Sequence, residues 1–219
     1  MKRLNSVELM ALMNISVSLA ESTLLRCATF SAQPTLTNAR QALALFKGDV
    51  YDGFELGMYS VEDLEFANKH LCILSGLYGS LKPLDLVQPY RLEMNTKLSI
   101  DGIKDISAYW SQKITQRLNQ IIAKKKNRLL LNLASSEYSK VIDLNKFEGD
   151  LVNVVFKEER EGHSKVVAIY AKRARGLMAN YIIKNKVTRL INVKDFAEGG
   201  YQYMKKESSE NALLFIAKR

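Results

Sequence analysis

Short apolar runs, each too brief for a helix, alternate along this chain with longer stretches of helical period. Leu71-Cys72-Ile73-Leu74-Ser75 and residues 129–133, 151–156, 166–170 and 213–217 read as strands. Leu9, Leu12, Met13, Ser16 and Leu19-Ala20 recur at helical spacing and predict a helix over residues 4–25. Further helices are predicted over 38–46 with Thr37 as its cap, from Ser60 onward, over 105–124 and over 171–186. Such alternation predicts an α/β (mixed α+β) fold. The 219 residues suit one domain, and no loose linker or repeat interrupts them, so a compact single domain over 1–219 is expected.

Hydrophobic residues make up 47% and charged residues 25%, which excludes a disordered or fibrous chain. Apolar runs such as Leu129-Leu130-Leu131 are far short of the roughly 20 residues of a membrane span. Asn5, Ser6 and Glu8 interrupt any secretory signal core. Two cysteines, Cys27 and Cys72, are too few for a disulfide framework and predict reduced thiols in a cytoplasm. The net charge of +9 is uneven along the chain. Residues 1–100 carry 9 basic and 10 acidic side chains, and residues 101–219 carry 23 and 13. A segregated basic excess points to an anionic partner, nucleic acid before a membrane surface, although a solvated basic face gives the same composition.

Four segments gather candidate chemistry. In Leu74-Ser75-Gly76-Leu77-Tyr78-Gly79-Ser80-Leu81-Lys82-Pro83, Gly76 and Gly79 suit a tight hairpin whose backbone approaches a phosphate, with Lys82 following. The stretch is similar to a helix-hairpin-helix, although Gly76 and Gly79 stand three apart rather than two. A turn needing left-handed backbone explains the glycines equally. In Gln88-Pro89-Tyr90-Arg91-Leu92-Glu93, Arg91 and Glu93 share parity on an extended segment, and Tyr90 faces away. That pair is either a structural ion pair or a phosphate-binding arginine steadied by a carboxylate. Asn132-Leu133-Ala134-Ser135-Ser136-Glu137-Tyr138-Ser139-Lys140 follows a buried strand. There Ser135 or Ser136 caps the next turn, and Glu137, Tyr138 and Lys140 are the candidate acid–base or phosphate-contacting groups. Finally, Lys172, Arg173 and Arg175 crowd the expected start of a helix, where cations oppose the dipole unless an anion is recruited. Lys172 and Arg175 share a face.

Standard catalytic sets are thin. His70 and His163 are the only histidines, and no CxxC, HExxH or GxSxG pattern occurs. No metal site and no cofactor are predicted.

LSGLYGSLKPLDLVQPYRLEM (74–94), NLASSEYSK (132–140), YAKRARGLMANYII (170–183) and ARQALALFKGDVYDG (39–53) resemble the YaaA peroxide-stress family in order and spacing. The resemblance covers essentially the whole chain. It implies a cytoplasmic protein that limits free iron and oxidative damage under hydrogen peroxide. It also implies a mixed α/β domain with a helix-hairpin-helix-like element beside a basic cleft, and binding of double-stranded or branched DNA. No established reaction comes with it. Members typically begin with a strand carrying Ile-Ser-Pro-Ala-Lys, whereas this sequence opens at Met1-Lys2-Arg3 inside what resembles the family's first major helix, so that strand is expected to be missing.

The leading expectation is therefore a monomeric DNA-binding stress protein without a membrane partner. Gly76, Gly79, Lys82, Arg91, Lys140, Lys172, Arg173 and Arg175 would form its phosphate track. The alternative is an enzyme acting on nucleic acid or a phosphorylated small molecule at Glu137, Tyr138, Lys140, Arg91 and Glu93. Direct iron handling is a third reading, with few ligands to support it.

Overall fold

A computed structural model of the chain describes residues 3–100 and 102–219. Met1 and Lys2, part of the expected short N-terminus, lie outside the described residues. Two compact units interleave in sequence. Unit 1 comprises Met1–Leu45, Leu71–Gln120 and Ser136–Phe147; unit 2 comprises Phe46–His70, Ile121–Ser135 and Glu148–Arg219.

The first long helix predicted is two. Helix α1 (Ser6–Met13) begins at a capping box, in which Asn5 accepts from the Glu8 N–H and Glu8 accepts from the Asn5 N–H. It ends where Asn14 turns left-handed at φ 51°. Ser16 then caps α2 (Val17–Thr29). Asn and Ser are good caps and poor helix-interior residues, so the apolar period continues while the backbone breaks. Residues 38–46 differ more. Arg40–Gln41 is a strand, β1, and only Ala42–Leu45 is helical, α3. Long-range pairing overrides local propensity there: Ala42 and Leu43 donate to the Asp85 and Pro83 carbonyls.

Next come α4 (Val61–His70), β2 (Ile73–Ser75), β3 (Gly79–Leu81), β4 (Leu86–Val87) and α5 (Ile106–Ile122). Strands β2 and β3 form an antiparallel hairpin, and β4 pairs with β1. The glycine pair expected within a helix-hairpin-helix is thus flanked by strands. The apolar, alternately buried run Ile73–Ser75 pairs with Gly79–Leu81 instead of coiling.

Unit 2 is organised by a sheet. Its strands are β5 (Leu129–Asn132), β6 (Asp150–Arg160), β7 (His163–Lys165), β8 (Tyr201–Tyr203) and β9 (Ala212–Lys218). The order is β5-β6-β9-β8, with β5 and β9 parallel to β6, β8 antiparallel to β9, and β7 paired to the far end of β6. The single turn α6 (Ser136–Ser139) belongs to unit 1. Helices α7 (Ala168–Lys184) and α8 (Leu190–Val193) belong to unit 2. The strand expected at 166–170 is absent, because its residues open α7. Val152, Val154 and Phe156 of β6 alternate inward and meet Ala171, Ala174 and Met178 of α7. Phe156, Phe196, Tyr201 and Phe215 complete this core, with the Phe156 and Tyr201 ring centroids 5.0 Å apart.

The mixed α+β expectation holds. The charge segregation does not survive folding as it stood in the sequence. Unit 1 carries 12 basic and 8 acidic side chains and unit 2 carries 20 and 15, so the basic excess is shared almost equally.

Candidate functional site

The candidate residues fall into two groups, one in each unit. In unit 1, residues 88–93 follow β4 without regular structure, a turn at Met94–Asn95 closes them, and the second and third sequence motifs come together there. Arg91 and Glu93 lie on one side, as their parity predicts, with Nη2 and Oε1 2.8 Å apart. Tyr90 points away, and its hydroxyl lies 2.6 Å from Ser75 Oγ, which also accepts from the Tyr78 N–H. Glu137 Oε1 accepts from the Asn95 N–H at 3.4 Å, and Lys140 Nζ donates to Asn95 Oδ1. Burial, with Glu137 and Glu93 adding their negative charge, pushes the Tyr138 phenol up to about 12. Tyr138 is therefore a neutral hydrogen-bonding group at pH 7, unsuited to act as a phenolate base. Glu137, Tyr138, Lys140, Arg91 and Glu93 thus form one polar cluster.

Beside that cluster lies a cavity of about 610 Å³. Lys97, Lys104 and Lys140 line it, with Asn95, Ser107 and Ser111. Asp105 also faces it, and its Oδ1 accepts from the Ala108 N–H at 2.7 Å, capping α5. Sequence reasoning missed Asn95, Lys97 and Lys104. The available signal was their position immediately after the Arg91 motif and before the α5 cap.

Gly76 and Gly79 are accounted for by packing. A Cβ on Gly76 would stand 2.3 Å from the Leu92 carbonyl oxygen, and one on Gly79 would stand 2.6 Å from the Trp110 ring. Gly79 also has φ +75°, which favours glycine, and Trp110 Nε1 donates to the Gly76 carbonyl at 2.8 Å. Lys82 is exposed, while its backbone N–H donates to Asp85.

In unit 2, Lys172, Arg173 and Arg175 sit in the interior of α7. The helix starts at Ala168, so these cations lie beyond its first turn, where the dipole argument for anion recruitment loses its force. Lys172 Nζ is 3.4 Å from Asp49 Oδ2 in a half-exposed pair. Arg173 is exposed. Arg175 is different: it is half-buried, its Nε is buried without a hydrogen-bond partner, and burial alone pulls its guanidinium down from the ordinary arginine value. Gly176 beside it is a packing requirement, since a Cβ there would meet the Val50 carbonyl oxygen at 1.8 Å.

A second unit 2 cluster escaped the sequence reading. Ser60 and Asp63 cap α4 reciprocally. The same buried carboxylate receives Lys184 at 2.8 Å and Lys186. These ammonium groups hold Asp63 well below the usual carboxylate range. His70 stacks on Phe66 at 4.2 Å, and burial with Lys125 and Lys69 lowers its pKa. Among the described residues, no group of three or more His, Cys, Asp or Glu is placed to hold a metal ion. Burial pushes the Cys72 thiol, in unit 1, up to about 11.

A family model described as peroxide stress protein YaaA matches residues 1–207. The chain belongs to that family. Its membership supports a peroxide stress protein and agrees with the motif order read from the sequence. Among the described residues, no single helix is long and apolar enough to cross a membrane.

Proposed function

We propose that this peroxide stress protein binds DNA through its phosphates and so helps limit iron-dependent oxidative damage, acting in the cytoplasm. The observation that carries the reading is Arg175. Among the described residues this half-buried guanidinium has no carboxylate and no hydrogen-bond partner for its Nε, so its charge is poorly compensated, and a phosphate meeting the open side of the guanidinium would offset that cost. Exposed Arg173 and Lys172 lie on the same helix, the latter within reach of Asp49. In unit 1, Lys82, Arg91 and Lys140 offer further cations; Arg91 is shared with Glu93. Few aromatic residues stand among these groups, which favours recognition of backbone and shape over base stacking. A monomer suffices for this reading.

Fluorescence anisotropy with linear and branched duplexes at several salt concentrations tests it. Affinity should fall steeply with salt, log K sloping by about −0.9 for each neutralised phosphate. Arg173→Ala/Arg175→Ala should weaken binding to all sequences alike and make the slope shallower. Unchanged affinity in that variant would remove α7 from the interface.

The gathering of Glu137, Tyr138, Lys140, Arg91 and Glu93 favours a second reading, an enzyme acting on nucleic acid or a phosphorylated small molecule. Turnover of a damaged oligonucleotide that is lost in Glu137→Gln, with binding intact, would establish it.

A further inference from the structure

We propose that the unit 1 cavity is a binding site for closely spaced phosphate groups, either a diphosphate-type group of a free small molecule or neighbouring phosphodiesters of a DNA backbone. Three ammonium groups from separate stretches of chain line one space: Lys97 after the Met94–Asn95 turn, Lys104 before α5 and Lys140 after α6. Among the described residues, the one lining carboxylate is Asp105, which already uses Oδ1 to cap α5 and stands 4.0 Å from Lys104. The described lining therefore carries more ammonium groups than carboxylates. Lys97 has no ion pair among the described residues, and Lys140 contacts the neutral carboxamide of Asn95.

The chemistry of the lining selects the ligand. Because Lys140 donates to Asn95 Oδ1, the Asn95 amide nitrogen is left as a donor. Ser107 and Ser111 bring hydroxyls, and Ala108 is the one apolar residue of the wall. Among the described residues, the lining offers no aromatic face to a base or a hydrophobic ring, so recognition rests on charge and donated hydrogen bonds. Three ammonium groups around one open concavity can meet more than one phosphate group at once, with water filling the rest. Glu137 anchors the Asn95 backbone, so the polar cluster supports this wall of the cavity. The site goes beyond the DNA reading and shares only Lys140 with it.

Isothermal titration of the full chain with inorganic pyrophosphate tests the site. The expected result is one saturating site whose affinity falls with salt and drops at least about tenfold in Lys97→Gln/Lys104→Gln. Lys104→Arg, which keeps the charge, should retain it. A thermal melt of each variant controls for folding. Absence of saturable binding to the wild type, or equal affinity in a double variant that melts like the wild type, overturns the proposal. Displacement of a bound duplex by pyrophosphate would support a DNA phosphate as occupant, and simultaneous binding of both would support a free oligophosphate. Pyrophosphate binding by a wild type that binds no duplex would remove the DNA reading and leave this site standing.

Discussion

In unit 2 an eleven-residue strand, β6, is paired along both edges, and its inward side chains pack against α7 and an aromatic cluster. In unit 1 no described strand exceeds three residues, and a core that includes Leu9, Met94, Ile106, Ile114 and Val141 is joined by side chains that bond to distant backbone. Gln88 accepts from the Ser31 N–H and donates to the Ser31 carbonyl, at 2.9 and 2.7 Å. Trp110 reaches Gly76, and Asn119 reaches the Lys146 carbonyl. The difference teaches where each unit is vulnerable. Unit 2 adds to its core a close backbone contact beneath α7; unit 1 adds to its core particular polar atoms that replace long strands. Unit 1 is also where the polar cluster and the lysine-lined cavity lie.

The largest expected effect would break unit 2. Gly176→Ala places a methyl against the Val50 carbonyl, a backbone atom that cannot swing aside. A loss of at least about 5 kcal/mol, enough to leave the chain unfolded, is expected in thermal melting. A variant melting near the wild type would show that the Tyr51–Gly53 turn moves freely from α7. Phe156→Ala should cost about 3–5 kcal/mol in urea unfolding through the cavity it leaves among Phe196, Tyr201 and Phe215. A loss below about 1 kcal/mol would contradict the account of this core.

In unit 1 the effects should be smaller and specific to atoms. Gly79→Ala must hold a positive φ against the Trp110 ring and should cost about 2 kcal/mol. Trp110→Phe keeps most of the ring but leaves the Gly76 carbonyl without its donor, at about 1 kcal/mol. If Trp110→Phe proved as damaging as Phe156→Ala, the contrast between the units would fail.

The smallest effect is one of pH. His70 in unit 2 has a folded pKa below its unfolded value of about 6.5. The unfolded state then binds the extra proton, so His70's contribution is complete above that value and declines as pH falls through and below it. Melting temperatures from pH 7.5 to 5 should fall less steeply in His70→Phe than in the wild type. Identical slopes would show that His70 is not the group responsible.

The sequence made some of this legible. Apolar runs on β5, β6 and β9 exposed the sheet: β9 is buried along most of its length and β6 at alternate residues. The capping chemistry at Ser60 exposed α4. Residues 38–46 misled, because helical spacing there was overridden by pairing with β4 and by hydrogen bonds to Pro83 and Asp85. Gly76 and Gly79 could be read two ways: a phosphate-cradling turn and a turn making room for Leu92 and Trp110 need the same residues, and those neighbours are brought in only by folding. Arg91 and Glu93 were readable by parity, being two apart. The cavity was not, since Lys97, Lys104 and Lys140 come together only after folding.

Cys72 bears on endurance. Burial pushes its thiol pKa up, and peroxide attacks the thiolate rather than the thiol, so this sulfur is a slow target for the oxidant.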